Sequence, residues 1–113
     1  MEAAKRENNG ITIIDFIGNI KSPDDLKILS QAIDEEIEKQ RKTILLDFKD
    51  VSFINSSGLG RLILAVKKIS DNDGTLSIMN LTEDLEELFT FTKLKEKIPV
   101  YKNEEEAINN LQS

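Results

Sequence analysis

Thr43-Ile44-Leu45-Leu46-Asp47-Phe48 runs on through Lys49-Asp50-Val51-Ser52-Phe53 into Ile54-Asn55-Ser56-Ser57-Gly58-Leu59-Gly60-Arg61-Leu62. The first six residues are mostly apolar and show no alternation, the pattern of a strand buried on both faces, as in a parallel sheet. Asn55-Ser56-Ser57 then offers the short polar side chains that cap helix N-termini. Beyond them Leu59, Leu62, Ile63, Val66 and Ile69 recur at helical spacing, which predicts an amphipathic helix with these residues on its buried face. A buried strand followed by a loop and an amphipathic helix is the repeating step of an α/β domain.

The same alternation of elements extends in both directions. Upstream, Ile11-Thr12-Ile13-Ile14-Asp15-Phe16-Ile17 is rich in β-branched residues and stops at Gly18, so it reads as a strand. Asn9-Gly10 in front of it is a hairpin-turn pair, which allows residues around Ala4–Asn8 to fold back as a short edge strand. Ser22-Pro23-Asp24-Asp25 supplies an N-cap, a proline at the first helical position and a carboxylate three residues on. Leu26, Leu29, Ile33 and Ile37 continue that helix to about Lys39, opposite a solvated face with Asp34, Glu35 and Glu38.

Downstream, Asp73-Gly74 turns into a strand at Thr75–Met79. Leu85, Leu88 and Phe89 mark a short helix entered near Thr82, and Phe91–Leu94 breaks its period, which predicts a turn. A last strand is expected at Ile98–Tyr101, near an edge because Pro99 has no N–H to donate. Asn103 caps a final helix that buries Ala107, Ile108 and Leu111. The expectation is one domain over residues 1–113: a mixed, mostly parallel sheet of four to five strands with about four helices.

Composition narrows the chemistry. The 113 residues include no cysteine and no histidine, which excludes thiolate and imidazole catalysis and removes the usual zinc ligands. Acid–base work would fall to carboxylates, to Lys67 or Lys68, or to Tyr101, none well suited to neutral pH. A net charge of −6 disfavours nucleic acid and anionic membrane surfaces as partners. No apolar run is long enough to cross a bilayer and the N-terminus has no apolar leader, so a cytoplasmic protein is expected. Asp15, Asp47 and Asp50 could be imagined as a magnesium cluster, but read more simply as solvated strand-end residues. No metal, cofactor or catalytic residue is expected. A binding module fits this inventory better than an enzyme.

Ile54-Asn55-Ser56-Ser57-Gly58-Leu59-Gly60, following a strand that ends Leu45-Leu46-Asp47-Phe48, resembles the motif of STAS domains and, more narrowly, of bacterial anti-sigma factor antagonists. The family pattern is hydrophobic-Asp-Ser-Ser/Ala-Gly-Leu-Gly, with the first serine as the phosphorylation site. Gly18, the element order and the length extend the likeness over essentially the whole chain. The resemblance implies a partner switch. The unphosphorylated antagonist binds an anti-sigma factor that is also a serine kinase with a GHKL-type ATP site, and so frees a sigma factor. Phosphorylation ends the binding and a serine phosphatase restores it. By matching position the acceptor is Ser56, with Ser57 as competitor and as the expected backbone cap. The docking surface is expected to comprise Asn19, Lys21, Asn55, Ser56, Ser57, Gly58, Leu59 and Gly60.

Two positions depart from the family pattern. Asn55 stands where aspartate is usual, and Lys21 lies near the place of a common acidic residue, so the surface is less acidic than typical. The alternative implied by the family is a non-phosphorylated STAS subunit of a transport ATPase complex or a stress-sensing assembly. A receiver domain lacks its acidic pair here, because Gly18-Asn19-Ile20-Lys21 follows the early strand, and a P-loop is absent.

Overall fold

A computed structural model describes residues 1–112. Asn9 and Gly10 both take positive φ, 54° and 81°, the geometry of a two-residue turn whose twist matches a hairpin. The turn joins β1 (Glu2–Asn8) antiparallel to β2 (Ile11–Ile17). β1 is therefore a full edge strand, longer than the segment expected from sequence. Its polar side chains hid its pairing potential, which resides in the backbone. Next come α1 (Pro23–Glu38), β3 (Thr43–Asp50), α2 (Ser56–Asp71), β4 (Thr75–Met79), α3 (Glu83–Phe91), β5 (Val100–Tyr101) and α4 (Glu104–Gln112). The five strands lie in the order β1-β2-β3-β4-β5, and every pairing after the hairpin is parallel. The expected mixed, mostly parallel sheet is present.

Alternation along the strands supplies two cores. Ile14, Phe16, Ile44, Leu46, Phe48, Leu76 and Ile78 pack with the buried residues of α1, α2 and α3. Ile11, Ile13, Leu45 and Met79 pack with Ala107 and Ile108 of α4. Strands covered on both faces explain the unbroken apolar run at Ile44–Leu46. Burying each such side chain contributes about 1.5–3 kcal/mol. Phe16 and Phe48 meet edge to face with ring centres 5.8 Å apart, linking β2 to β3 under the helices.

Ser22 caps α1 and forms a reciprocal capping box with Asp25, as its sequence predicts. Periodicity gave no sign that Glu36 is buried, at 4% exposure; Lys5 reaches it from β1 at 2.8 Å. On α2 the buried residues are Leu62, Ala65 and Ile69 with Gly58, while Ile63 is 40% exposed. The expected stripe is thus corrected at Ile63: small Ala65 faces the core, and α2 tilts Ile63 to its outer flank. The period break after Phe91 is a left-handed Lys93 followed by a 3-10 turn at Leu94–Glu96. The last strand is only Val100–Tyr101; Ile98 is buried but precedes the ladder, and Pro99 joins it through its carbonyl alone.

Candidate functional site

The loops leaving β2 and β3 at the C-terminal end of the sheet are laced together. The Gly18 N–H donates to the Asp50 carbonyl at 3.1 Å and the Ile20 N–H to Phe53 at 2.9 Å; the Asn55 N–H returns to Ile20 at 3.0 Å. Ile20 and Ile54 form a parallel bridge, so sheet-like pairing continues past both strands. The Asn19 side-chain oxygen also accepts from the Ser52 N–H at 3.1 Å. Gly18 has φ of 111°, and a Cβ there would lie 3.1 Å from the Met1 backbone, so any other residue would be strained at this point. The result is one stiff ledge formed by residues 18–22 and 50–55.

Asn55 holds the ledge to α2. Its Oδ1 accepts from the Gly58 N–H at 2.8 Å as the helix N-cap, and its Nδ2 donates to the Lys21 carbonyl at 3.2 Å. The cap expected of Ser57 is therefore supplied by Asn55, because Ser57 stands one residue inside the helix, where its hydroxyl is no longer aimed at the first-turn amides. Ser56 and Ser57 open α2, both are exposed, and neither hydroxyl has a hydrogen-bond partner among the described residues. Asparagine at this position has a concrete use: a carboxylate would keep the bond to Gly58 but could not donate to the Lys21 carbonyl.

The two glycines of the motif differ. Gly58 is buried, and a Cβ there would sit 2.5 Å from Ile54 Cγ1 and 2.9 Å from Ile20 Cγ2. It is the point where α2 rests on the ledge, so close packing rather than an open approach accounts for it. Around Gly60 an added Cβ meets nothing within 4 Å. Asn19 and Lys21 are exposed, Leu59 and Gly60 half-buried. The expected docking residues thus share one rim, with Gly58 beneath it. Sequence reading missed Phe53, 49% exposed on the ledge three residues before Ser56. An aromatic residue after a buried strand gives no sign of being outside. The chain also carries no Asp or Glu from Val51 through Ser70, while Arg61, Lys67 and Lys68 lie there. This region is locally cationic in an acidic protein.

Of the three aspartates of the hypothetical metal cluster, Asp50 is exposed at the end of β3, as expected, Asp15 is half-buried, and Asp47 departs from the expectation. Asp47 is only 2% exposed, facing Asp15 across β2 and β3, and accepts from Asn80 Nδ2 at 3.0 Å and the Lys49 N–H at 3.1 Å. Alternation turns it toward the α4 side of the sheet, away from solvent. Burial, reinforced by Asp15, pushes its carboxyl above the usual range. For Asp15 the burial penalty is outweighed by Arg6, at 2.7 Å and 3.2 Å, and its carboxyl is held low. No group of three or more possible metal ligands occurs among the described residues. Nor, among them, is any helix long and apolar enough to cross a membrane.

A family model described as STAS domain matches residues 2–107. An anti-sigma F factor antagonist of Paenibacillus polymyxa is 24% identical over 113 residues, covering 99% of this chain and 96% of that protein. The fold is similar to the crystal structure of an anti-sigma factor antagonist from Mycobacterium paratuberculosis, with a TM-score of 0.88 at 19% identity, covering 99% of this chain and 94% of that one. It is also similar to the Bacillus cell fate determinant SpoIIAA in its phosphorylated form, with a TM-score of 0.73 at 20% identity over 97% of this chain and 99% of that one.

Proposed function

The chain belongs to the STAS domain family, and from that membership we propose that it is an anti-sigma factor antagonist working by partner switching. In its unphosphorylated state it binds an anti-sigma factor that is also a serine kinase with a GHKL-type ATP site. The kinase phosphorylates Ser56 and the complex parts; a serine phosphatase resets the protein. The domain is substrate and ligand in this cycle, takes no cofactor and acts in the cytoplasm.

The observation that carries this reading is the idle hydroxyl of Ser56, exposed on the first turn of α2, with the capping work done by Asn55. A phosphate there adds roughly −1.5 to −2 charge. It would sit where the helix dipole favours anions, so the fold tolerates it. The switch then has to act at the interface, where a dianion and its hydration enter a surface fitted to an uncharged serine hydroxyl. A relative of the same fold is known in a phosphorylated form.

Mass spectrometry of the protein isolated from its native cells tests the proposal. Phosphoserine is expected at Ser56 in the peptide spanning Asn55–Arg61, and its disappearance in Ser56→Ala. Phosphate carried mainly by Ser57, or a protein that remains unmodified while its sigma factor is held and released, would overturn it.

A further inference from the structure

We propose that Lys21 is the built-in counter-ion of a phosphate on Ser56, presented to it by the side-chain amide of Asn55. The inference rests on the reading of Ser56 as phosphoacceptor and deepens it. Asn55 directly precedes Ser56, and its Nδ2 binds the Lys21 carbonyl at 3.2 Å. The backbone of Lys21 is further fixed by its N–H, which donates to Asp25 Oδ2 at 3.1 Å, and by the Ile20–Ile54 bridge next to it. The ammonium, on a four-carbon stem reaching about 6 Å, starts from an anchored point beside the acceptor serine.

No carboxylate among the described residues holds that ammonium. Lys21 is exposed and forms no ion pair among the described residues. The nearby Asp25 carboxylate is already occupied by the Lys21 and Ser22 amides and faces the N-terminal ammonium at 3.7 Å. The exposed carboxylates of Asp24 and Asp50 are the other acidic neighbours of Lys21 and neither pairs with it, and from Val51 through Ser70 there is no Asp or Glu. Of the other cations of that region, Arg61 donates to Ser30 at 2.8 Å, Lys68 pairs with Asp34 at 3.2 Å, and Lys67 lies about three turns along α2 from Ser56. Phosphorylation would thus do two things at once, placing a dianion on the rim and withdrawing the charge of Lys21 from any docking partner.

The test installs phosphoserine at position 56 during translation, so no kinase is needed, and follows the second phosphate ionisation by phosphorus NMR. Compared with Lys21→Met and Lys21→Gln, the phosphate beside Lys21 is expected to ionise at a pH lower by roughly 0.3–0.5, as for an exposed pair at close range. The difference should collapse in about 1 M salt. Asn55→Ser keeps a capping oxygen but cannot reach the Lys21 carbonyl, and in that background the effect of Lys21→Met should fall below half. Identical titrations with and without Lys21 overturn the proposal, and an undiminished Lys21 effect in Asn55→Ser overturns the role given to Asn55. Neither result bears on whether cells phosphorylate Ser56, and a native protein lacking that phosphate would sink the functional reading without altering this titration.

Discussion

A methyl group added at Gly58 would collide with Ile54 and Ile20, whereas one added two residues later at Gly60 would enter open space. Gly58→Ala should therefore cost about 1–3 kcal/mol, the range for forcing bulk into a packed site. Gly60→Ala should stabilise by about 0.5–1 kcal/mol, because it replaces a flexible residue inside a helix. Urea denaturation of the two variants checks both signs. Asp47 offers a second test. Its folded-state carboxyl is raised, so its contribution to stability is present at low pH and lost as pH rises through the folded value. Asp47→Asn keeps an acceptor for Asn80 and the Lys49 N–H and gains a donor toward Asp15. It should be more stable than the parent at pH 7, with the gap closing as pH falls into the ordinary carboxylate range. Equal stability across pH would contradict the burial cost assigned here.

Among the elements, α1 and α4 are fastened by different means. The α1 start depends on the Ser22–Asp25 box, and Ser22→Ala should cost about 1 kcal/mol. Among the described residues, α4 is the only helix packed in the smaller core with Ile11, Ile13, Leu45 and Met79. Its N-terminal end is tied to the sheet by Glu104, which accepts from Arg6 at 2.7 Å and 3.0 Å and from Asn8 at 2.7 Å. The Arg6 hydrogen bonds hold the Glu104 carboxyl below its usual range. This stabilisation is present above the unfolded value and disappears as pH falls through the folded one. Arg6→Gln should remove about 1 kcal/mol, the upper end for a part-exposed bidentate pair. Hydrogen exchange should report it first at the amides of Ala107 and Ile108; unchanged protection there would show that apolar packing alone holds α4.

For the whole molecule the balance of carboxyls sets the acid limit. Asp25, held low by the Lys21 and Ser22 amides, Glu36, where Lys5 outweighs burial, and Glu104 all stabilise the fold when ionised. Thermal midpoints should be flat near neutrality and fall below about pH 4. The Ser56 side chain takes no part in this balance: Ser56→Ala removes a hydroxyl with no partner among the described residues and should change stability by less than about 0.5 kcal/mol. A large loss in that variant would mean that Ser56 serves the fold and not a switch.

The element order, the hairpin turn, the caps at Ser22 and Asn103 and the break after Phe91 were legible because each depends on near neighbours: periodicity, a preferred φ, or an oxygen within reach of an amide three residues on. The motif around Ser56 was legible for the same reason. What depends on distant partners was not. Nothing local says that Asp47 points inward, that Lys5 crosses from β1 to buried Glu36, or that Ile63 and Phe53 end up outside. The Asn55 cap is itself local, an oxygen bonded to an amide three residues on, but its second bond, to the Lys21 carbonyl 34 residues away, exists only once the sheet and helices are assembled. Short-range geometry is encoded in a few adjacent residues, whereas burial is a property of the surface that the other elements leave open.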